Sequence, residues 1–238
     1  MQDLSLDWLK NNAYPGRGII MGLGPNGERV QIYWLTGRSE NSKNRIFVQN
    51  KDGSVSTKPF DEKKLKDPSL IIYTPFRVVN GVHIISNGDQ TDTIAEFLKN
   101  GKTAEEALKT RTYEPDAPNY TPRISGVFYP NTSYALSILK ANGRETPKRE
   151  SVFIEKESGT AGIGEMLTTY EGDSDPLQSF MGLPRLMPIK NTAQENLDFY
   201  WNMLNTKYRI SILVNWITDN GENSVIIENA NCCSLVES

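Results

Sequence analysis

The sequence predicts an α+β fold in which antiparallel sheets stack on each other and carry helices on the outside. Roughly ten apolar segments follow one another in hairpin order, separated by short turn signals. About three or four helical patterns fall into two groups instead of alternating with the strands, so a parallel sheet is not expected. The chain has 238 residues, enough to bury a substantial core without disulfides, and we expect residues 1–238 to form a single domain.

The strands are predicted from apolar runs, from apolar and polar alternation, and from the turns between them. Pro25-Asn26-Gly27 and Asn80-Gly81 are typical of tight turns between antiparallel neighbours. Residues 171–188 are rich in glycine, proline and aspartate, so we expect an irregular surface loop or lid there. The predicted strands are 19–24, 29–36, 46–49, 55–60, 70–74, 76–79, 82–86, 124–129, 133–140, 151–156, about 165–170, 208–218 and 224–228.

Helices are predicted where apolar residues recur at helical spacing behind a capping residue. A short helix covers 5–10, and a second runs from the polar loop 86–94 to a stop at Gly101. Two further helices, 104–111 and 193–204, follow capping-box sequences. The expected N-caps are Ser5, Thr91 or Asp92, Thr103 and Thr192.

Charge and hydropathy exclude several classes of partner. The 26 basic and 29 acidic residues give a net charge of −3 without a Lys/Arg block, so we expect no nucleic-acid partner. No apolar run approaches the ~18 residues of a membrane span, and the first residues lack the layout of a signal peptide. The expectation is a cytoplasmic protein without a membrane partner.

Cysteine and histidine usage argues against a metal site or a cofactor. Cys232 and Cys233 are adjacent and cannot staple the fold, and His83 is the only histidine, which we interpret as structural. The glycine-rich dinucleotide loop and the phosphate loop with its lysine are both missing from the sequence. We therefore expect neither a metal nor a cofactor.

The densest polar stretch is 86–94, which lies between a predicted strand and a predicted helix. Its backbone N–H groups and small polar side chains are suited to an anionic or polar ligand. Helix capping by Thr91 or Asp92, with Glu96 one turn later, explains half of the same residues without any ligand. The sequence favours the structural interpretation and leaves the binding interpretation open.

Two other polar segments carry arginines. Residues 14–18 place Arg17 between two glycines, where the backbone permits close approach and an exposed guanidinium. Residues 37–45 lack large apolar side chains and are bracketed by Arg38 and Arg45, a donor set suited to a phosphomonoester. A plain turn and a solvated hairpin loop are the alternatives.

The segment 113–123 contains three prolines. Proline fixes φ and excludes helix, so Glu114, Asp116 and Asn119 would be presented from a stiff scaffold. A rigidly held carboxyl group is useful as a general acid or base. A proline-rich connector without chemical function remains the alternative.

Taken together, these segments resemble one family, the archaeal-type inosine monophosphate cyclohydrolases and their bacterial relatives. The motifs occur in the same order, and with a weaker one at Thr169-Tyr170-Glu171 they span most of residues 14 to 171. They are Tyr14-Pro15-Gly16-Arg17-Gly18-Ile19, Gly37-Arg38-Ser39 with Asn44-Arg45, Ser86-Asn87-Gly88 with Thr91-Asp92-Thr93-Ile94, and Tyr113-Glu114 with Thr121-Pro122-Arg123-Ile124.

The resemblance implies a four-layer αββα sandwich like that of the N-terminal-nucleophile hydrolases. It does not imply their chemistry, because Met1 and Gln2 provide no N-terminal nucleophile. The chain departs from archaeal members at Asp89-Gln90, and it is longer at the N-terminus, at residues 61–67 and beyond residue 171.

The resemblance also implies a reaction, in which 5-formamidoimidazole-4-carboxamide ribotide closes to inosine monophosphate with loss of water and without a cofactor. It implies Glu114 as general acid/base, Tyr73 as its hydrogen-bonding partner and Arg38 as the donor that stabilises negative charge. The implied substrate-binding residues are Arg17, Ser39, Asn44, Arg45 and Arg123 for phosphate, ribose or base, and Asn87, Gly88, Thr91 and Asp92 for the imidazole carboxamide.

Two other functions stay open at this point. The protein is alternatively a purine-ribotide-binding module without catalysis, or an amidohydrolase of the same fold acting on another substrate. The oligomeric state is also open, and the last third of the chain is available for assembly into a homo-oligomer.

Overall fold

The computed structural model describes residues 5–65, 68, 70–143 and 145–231. It is a mixed structure of antiparallel sheets and helices, as the sequence predicts at the level of fold class. The strands are β1 (Gly18–Leu23), β2 (Arg29–Thr36), β3 (Ile46–Gln49), β4 (Val55–Lys58), β5 (Phe76–Val79), β6 (Val82–Ser86), β7 (Arg123–Phe128), β8 (Tyr134–Asn142), β9 (Lys148–Lys156), β10 (Ile163–Thr168), β11 (Arg185–Pro188), β12 (Arg209–Ile217) and β13 (Asn223–Asn229). The helices are α1 (Leu6–Asn11), α2 (Glu40–Lys43), α3 (Gln90–Lys99), α4 (Ala104–Lys109) and α5 (Ala193–Met203), with a 3-10 turn at Glu62–Lys64.

Within the described residues the strands form two antiparallel sheets. Sheet A has six strands in the order β11-β10-β1-β2-β12-β13, and sheet B has seven strands, β3 to β9, in sequence order. Neighbouring strands of sheet B are therefore consecutive in the chain, although α3 and α4 lie between β6 and β7. The β5–β6 turn at Asn80-Gly81 has positive φ at both residues, as a two-residue hairpin turn requires. This short connection follows directly from the turn signal in the sequence.

Three apolar clusters define the layers. The largest lies between the sheets and combines Ile19 and Tyr33 of sheet A with Phe76 and Ile124 of sheet B. A second cluster covers the other face of sheet A with α1 and α5, and a third covers the other face of sheet B with α3 and α4. Each sheet thus has one face toward the other sheet and one face toward helices.

Strand β2 shows why alternation in the sequence does not produce an exposed face here. Ile32 and Trp34 pack toward the helices, whereas Tyr33 and Leu35 face the other sheet. All eight residues of the strand are buried. The two faces of the strand differ only in their neighbours, because a central strand of a covered sheet is buried on both sides.

Two strand predictions are corrected by the structure. Residues 70–74 are irregular instead of a strand, because the N–H groups of Ile71 and Ile72 bond back to the Pro68 carbonyl and the Tyr73 N–H bonds to the Thr57 hydroxyl group at 2.8 Å instead of to a backbone carbonyl. In contrast, Arg185–Pro188 within the segment predicted to be irregular is a strand at the edge of sheet A, paired with β10. Its proline is tolerated because an edge strand does not need every N–H.

The predicted helix ranges agree with the structure more closely than the predicted N-caps do. The predicted caps Thr91 and Asp92 lie inside α3, and its N-cap is Asp89, whose carboxylate binds arginines instead of the helix backbone. Ser5 precedes α1 without a capping side-chain bond. Thr103 forms the predicted capping box with its Glu at the third position, and Thr192 accepts from the Glu195 N–H.

Several predicted features fall on residues outside the part of the chain that the structure describes. Cys232, Cys233, Met1 and Gln2 lie outside the described residues, as does part of the segment 61–67. Among the helices that the structure does describe, none is long and apolar enough to cross a membrane.

His83 lies in a buried polar network between the sheets. Its backbone carbonyl accepts from Gln31 Nε2 at 3.1 Å, and its Nδ1 lies 3.4 Å from Asn215 Nδ2, which donates to Gln31 Oε1 at 2.9 Å. Burial and, to a smaller extent, the positive charge of Arg29 lower the pKa of His83 from 6.5 to about 4. These contacts fit the structural interpretation of His83, which is neutral in the folded protein.

This environment predicts a loss of stability in mild acid. The unfolded chain takes up a proton at His83 near pH 6.5, whereas the folded protein resists it until about pH 4. The free energy of unfolding should therefore fall by about 1 kcal/mol from this residue alone between pH 7.5 and pH 5.5. Urea titrations at the two pH values measure the fall, and His83→Asn should show less of it. An equal fall in the free energy of unfolding between the two pH values in the wild type and the variant would contradict this assignment.

Candidate active site

The centre of the candidate site is a buried ion pair between Arg17 and Glu114. Arg17 Nη1 lies 2.6 Å from Glu114 Oε1, and only 13% of the Arg17 side chain and 2% of the Glu114 side chain are exposed. Arg17 directly precedes β1, and its N–H donates to Thr169 Oγ1 at 3.0 Å. Glu114 lies between α4 and β7, where its N–H donates to the Thr121 carbonyl at 2.9 Å.

Gly16 makes this position of Arg17 possible. It has a φ of +71°, and a β-carbon there would lie 2.1 Å from Thr169 Oγ1. Its carbonyl accepts from Trp34 Nε1 and from Thr36 Oγ1, both on β2. The glycine in the sequence motif is therefore needed for close approach as well as for its backbone conformation.

The ion pair keeps Arg17 charged while leaving Glu114 able to titrate. Burial raises the pKa of the Glu114 carboxyl group, and the positive charges of Arg17 and Arg123 only partly offset this. Burial also opposes the charge on Arg17, but Glu114 and the nearby tyrosines hold the pKa of Arg17 well above its usual value. A carboxyl group with a raised pKa beside a permanent cation is suited to accepting and returning a proton.

Two tyrosine hydroxyl groups meet beside this pair. Tyr33 Oη lies 2.7 Å from Tyr73 Oη, and both residues act electrostatically on Arg17. The backbone of Tyr73 is held by Thr57, whose N–H donates to the Tyr73 carbonyl at 2.9 Å. The predicted site residue Tyr73 is thus brought to Arg17, together with Tyr33, which the sequence does not single out.

Arg45 is a buried cation that lacks a counter-ion. It is 1% exposed, its Nε donates to the Ser42 carbonyl at 2.8 Å, and its Nη1 has no hydrogen-bond partner. Among the described residues, no carboxylate lies within ion-pair distance of it. Burial lowers the pKa of Arg45, and the charge of Arg17 lowers it further. An uncompensated buried guanidinium favours the binding of an anion.

Arg38 occupies a more exposed position. Its Nη1 donates to Asp173 Oδ1 at 3.0 Å and to the Ser174 carbonyl at 3.2 Å, and its guanidinium lies 5.2 Å from the centre of the Tyr14 ring. About a third of both charged side chains in this ion pair is exposed. Arg38 therefore ties the irregular segment 171–184 to the rest of the site.

The remaining predicted binding residues are mostly occupied by structural contacts. Asn44 uses both of its side-chain polar atoms on the backbone of Asp61, and Ser39 caps α2 by accepting from the Ser42 N–H at 3.1 Å. These bonds hold α2 and the chain around residue 61 together. The primary contacts of both side chains in this structure are therefore with the protein itself.

The polar loop 86–94 also has its side chains engaged within the protein. The Asn87 amide donates to the Pro122 carbonyl and accepts from Gln90 and from the Ile124 N–H. The Thr91 hydroxyl lies 2.5 Å from the Ser86 hydroxyl. Asp92 pairs with Arg77 near the surface, 3.2 Å away. These contacts favour the structural interpretation of the loop.

Gly88 and Arg123 form the link between this loop and Glu114. Arg123 Nη1 donates to Asp89 Oδ1 at 2.6 Å and to Gln90 Oε1 at 2.8 Å. A β-carbon at Gly88 would lie 2.6 Å from the same nitrogen, so the glycine leaves room for the arginine. The charge of Arg123 reaches Glu114, as noted above, although the two side chains do not form an ion pair.

A second set of residues lies in the motifs of the sequence, but their contacts with one another were not predicted. Thr121 Oγ1 lies 2.5 Å from Tyr170 Oη and also donates to the Asp116 carboxylate. The Tyr170 ring stacks with that of Tyr14, 6.0 Å between centroids. The weak motif at residues 169–171 is the only sequence signal for Tyr170, and strand alternation alone places Tyr33 toward the other sheet.

Comparison with known proteins identifies the family. A family model described as IMP cyclohydrolase-like protein matches residues 14–221, which include every residue discussed above as part of the site. An IMP cyclohydrolase from Methanopyrus kandleri is 30% identical over 192 residues, 79% of this chain and 90% of the relative. One from Methanococcus maripaludis is 33% identical over 163 residues, 66% of this chain and 75% of the relative.

Another IMP cyclohydrolase, from Methanocella arvoryzae, is 33% identical over 134 residues, which cover 55% of this chain and 64% of the relative. The three relatives are archaeal proteins with the same name, and the family match covers most of this chain. The resemblance seen in the four ordered motifs is therefore confirmed, and the chain belongs to the IMP cyclohydrolase-like family.

Proposed function

We propose that this protein is an IMP cyclohydrolase, which closes the second ring of 5-formamidoimidazole-4-carboxamide ribotide to give inosine monophosphate and water. The observation that carries the proposal is a buried carboxyl group of raised pKa, Glu114, held by Arg17 in a chain that belongs to this family. Arg45 is a second buried cation and, unlike Arg17, it has no counter-ion, which favours the binding of an anionic substrate.

The reaction needs proton transfers at three atoms. The carboxamide nitrogen attacks the formyl carbon and loses one proton, the formamido nitrogen loses its proton as the ring C=N bond forms, and the formyl oxygen takes up two protons and leaves as water. Glu114 takes the role of general base toward the carboxamide nitrogen and then of general acid toward the oxygen. Its raised pKa suits both directions, since a carboxyl group that titrates closer to neutrality accepts and returns protons more readily.

Negative charge develops on the formyl oxygen as the new bond forms. The Tyr73 hydroxyl and the guanidinium groups near it are the donors available to stabilise that oxygen, because they are fixed before the substrate arrives. Arg38, which the resemblance assigns to this role, contacts Asp173 in this structure. It would have to exchange that carboxylate for the substrate.

Binding also requires a path to the buried groups. Only 2% of the Glu114 side chain is exposed, whereas Arg38 and Asp173 are exposed by about a third. We infer that the contact between Arg38 and Asp173 opens when substrate enters, because it is the more exposed of these two ion pairs. The phosphate would then reach Arg45, with Ser39, Asn44 and Arg123 completing the binding groups after local rearrangement.

The order of helix and sheet layers is consistent with this assignment. The helix, sheet, sheet, helix order of the layers supports an αββα sandwich of the N-terminal-nucleophile hydrolase type within a single domain. In that arrangement the catalytic groups come from Arg17 and from the connection before β7, so the reaction does not depend on a nucleophile at residue 1.

The proposal predicts that Arg45 lowers the stability of the free protein in exchange for binding. Arg45→Met should raise the free energy of unfolding by on the order of 1 kcal/mol, because it removes an unpaired buried charge. The same change should weaken inosine monophosphate binding by roughly 10-fold or more, since a charged hydrogen bond is lost. Thermal unfolding and calorimetric titration give the two values.

Arg17→Met is the matched comparison for Arg45→Met. It leaves the Glu114 carboxylate buried without its partner, and we expect it to destabilise the protein by about 3–5 kcal/mol. If both variants lost stability equally, Arg45 would not be the uncompensated charge inferred here.

Glu114→Gln tests the reaction. The variant leaves the Arg17 charge without its partner, so we expect it to be less stable, and its melting curve establishes that it is folded. We expect the folded variant to lose roughly 10²- to 10⁴-fold in kcat with little change in KM, since an amide cannot accept the proton. Formation of inosine monophosphate from the synthetic formamido ribotide is followed by ultraviolet absorbance. Glu165→Gln is the control, because that carboxylate is also largely buried but binds Tyr134 and Lys156 away from the site.

The outcomes of this assay separate the candidate functions. Ring closure by the wild type and by Glu165→Gln, but not by Glu114→Gln, supports the cyclohydrolase. Thermal stabilisation by the ribotide without turnover would indicate a binding module instead, and hydrolysis of simple amides without ring closure would indicate an amidohydrolase. The absence of both binding and turnover would rule out the assignment altogether.

A further inference from the structure

Tyr33 is the residue of the candidate site for which neither the sequence nor the family resemblance provides a role. It lies in the central strand β2, it is fully buried, and its ring packs against Phe47 with 5.6 Å between centroids. Its one polar side-chain atom reaches the hydroxyl of Tyr73 at 2.7 Å. A tyrosine used only for packing would not need this hydroxyl group.

We propose that Tyr33 is a positioning residue for ring closure, donating its hydroxyl hydrogen to Tyr73 so that the Tyr73 hydrogen is directed toward the substrate. The inference rests on the proposed function. Each hydroxyl group carries one hydrogen, so only one of the two is donated within the pair. When Tyr33 donates, Tyr73 keeps its own hydrogen for the formyl oxygen.

Tyr33 has a hydrogen to donate within this pair, and a substrate oxygen that accepts from Tyr73 fixes the direction of donation. Burial raises the pKa of Tyr33 well above its usual value, and the adjacent Tyr73 adds to the effect, so Tyr33 is neutral and its hydroxyl group is able to donate. The hydrogen bond to the Tyr73 oxygen becomes stronger when Tyr73 in turn donates to an oxygen that is gaining negative charge. The effect of Tyr33 is therefore larger in the transition state than with bound substrate.

The site is also arranged to hold the pair still. Thr57 fixes the backbone of Tyr73 through both its N–H and its hydroxyl group, and Phe47 fixes the ring of Tyr33. The charges of Arg17 and Arg45 act on both tyrosines. An interaction that is rigid and close to cations is suited to stabilising an oxyanion, because it requires no rearrangement during the reaction.

The test is a double-mutant cycle measured by ring closure of the formamido ribotide. We expect Tyr33→Phe to lower kcat by about 10-fold with KM changed by less than about 3-fold, the signature of an interaction strengthened in the transition state. Tyr73→Phe should lower kcat by more than Tyr33→Phe does. The double variant should be no slower than Tyr73→Phe alone, because Tyr33 acts through Tyr73.

Tyr134→Phe is the matched control. Tyr134 is also buried between the sheets and also uses its hydroxyl group in one side-chain hydrogen bond, with Glu165 at 2.8 Å, but it lies outside the site. We expect its kcat to equal that of the wild type. Tyr33→Met is a second variant without the hydroxyl group, and melting temperatures establish that each variant is folded.

Three results would overturn the inference. They are an unchanged kcat in Tyr33→Phe, losses that add in the double variant, and a loss of equal size in Tyr134→Phe. All three presuppose that the wild type closes the ring. Absence of turnover in the wild type would overturn the proposed function, and this inference with it, so the two failures are distinguishable.

Discussion

The buried ion pair between Arg17 and Glu114 is the interaction on which the rest of the site depends. Arg17 precedes a strand of sheet A, and Glu114 precedes a strand of sheet B, so the pair connects the two sheets where they face each other. Neither charge is tolerated alone in so buried a place. The close approach of Gly16 to Thr169 and the stiff segment around Glu114 bring the two groups together at a fixed distance.

The charges around this pair do not balance, and the imbalance has a functional meaning. Arg45 is buried without a counter-ion, whereas Arg123 is matched by Asp89 and Arg38 by Asp173. The protein thus pairs the cations that hold its segments together with carboxylates, Asp89 being shared by Arg111 and Arg123, and leaves Arg45 unpaired near Arg17 and the two tyrosines. Such a site is less stable when empty and binds an anion more strongly, which is the usual relation between activity and stability.

Much of the fold follows from local patterns. The turns at Pro25-Asn26-Gly27 and Asn80-Gly81, the capping boxes at Thr103 and Thr192, and the apolar runs between them place most strands and helices within a few residues. Residues 70–74 were misassigned because a turn with an apolar sequence resembles a strand. The edge strand Arg185–Pro188 was missed because its proline and short length argue against a strand. In both cases hydrogen bonding to residues elsewhere in the chain decides whether the segment forms a strand, and the local sequence does not contain this information.

The sequence by itself determined the family, the antiparallel α+β class and the set of charged residues from which a site is built. Only the tertiary structure decided which of these residues meet. Glu114 and Arg17 are 97 positions apart and form an ion pair, whereas Asn44 and Asn87 are used by the backbone around them. The physical reason is that hydrogen-bond partners and burial depend on packing between the sheets, which sets the pKa of Glu114 and leaves Arg45 unpaired.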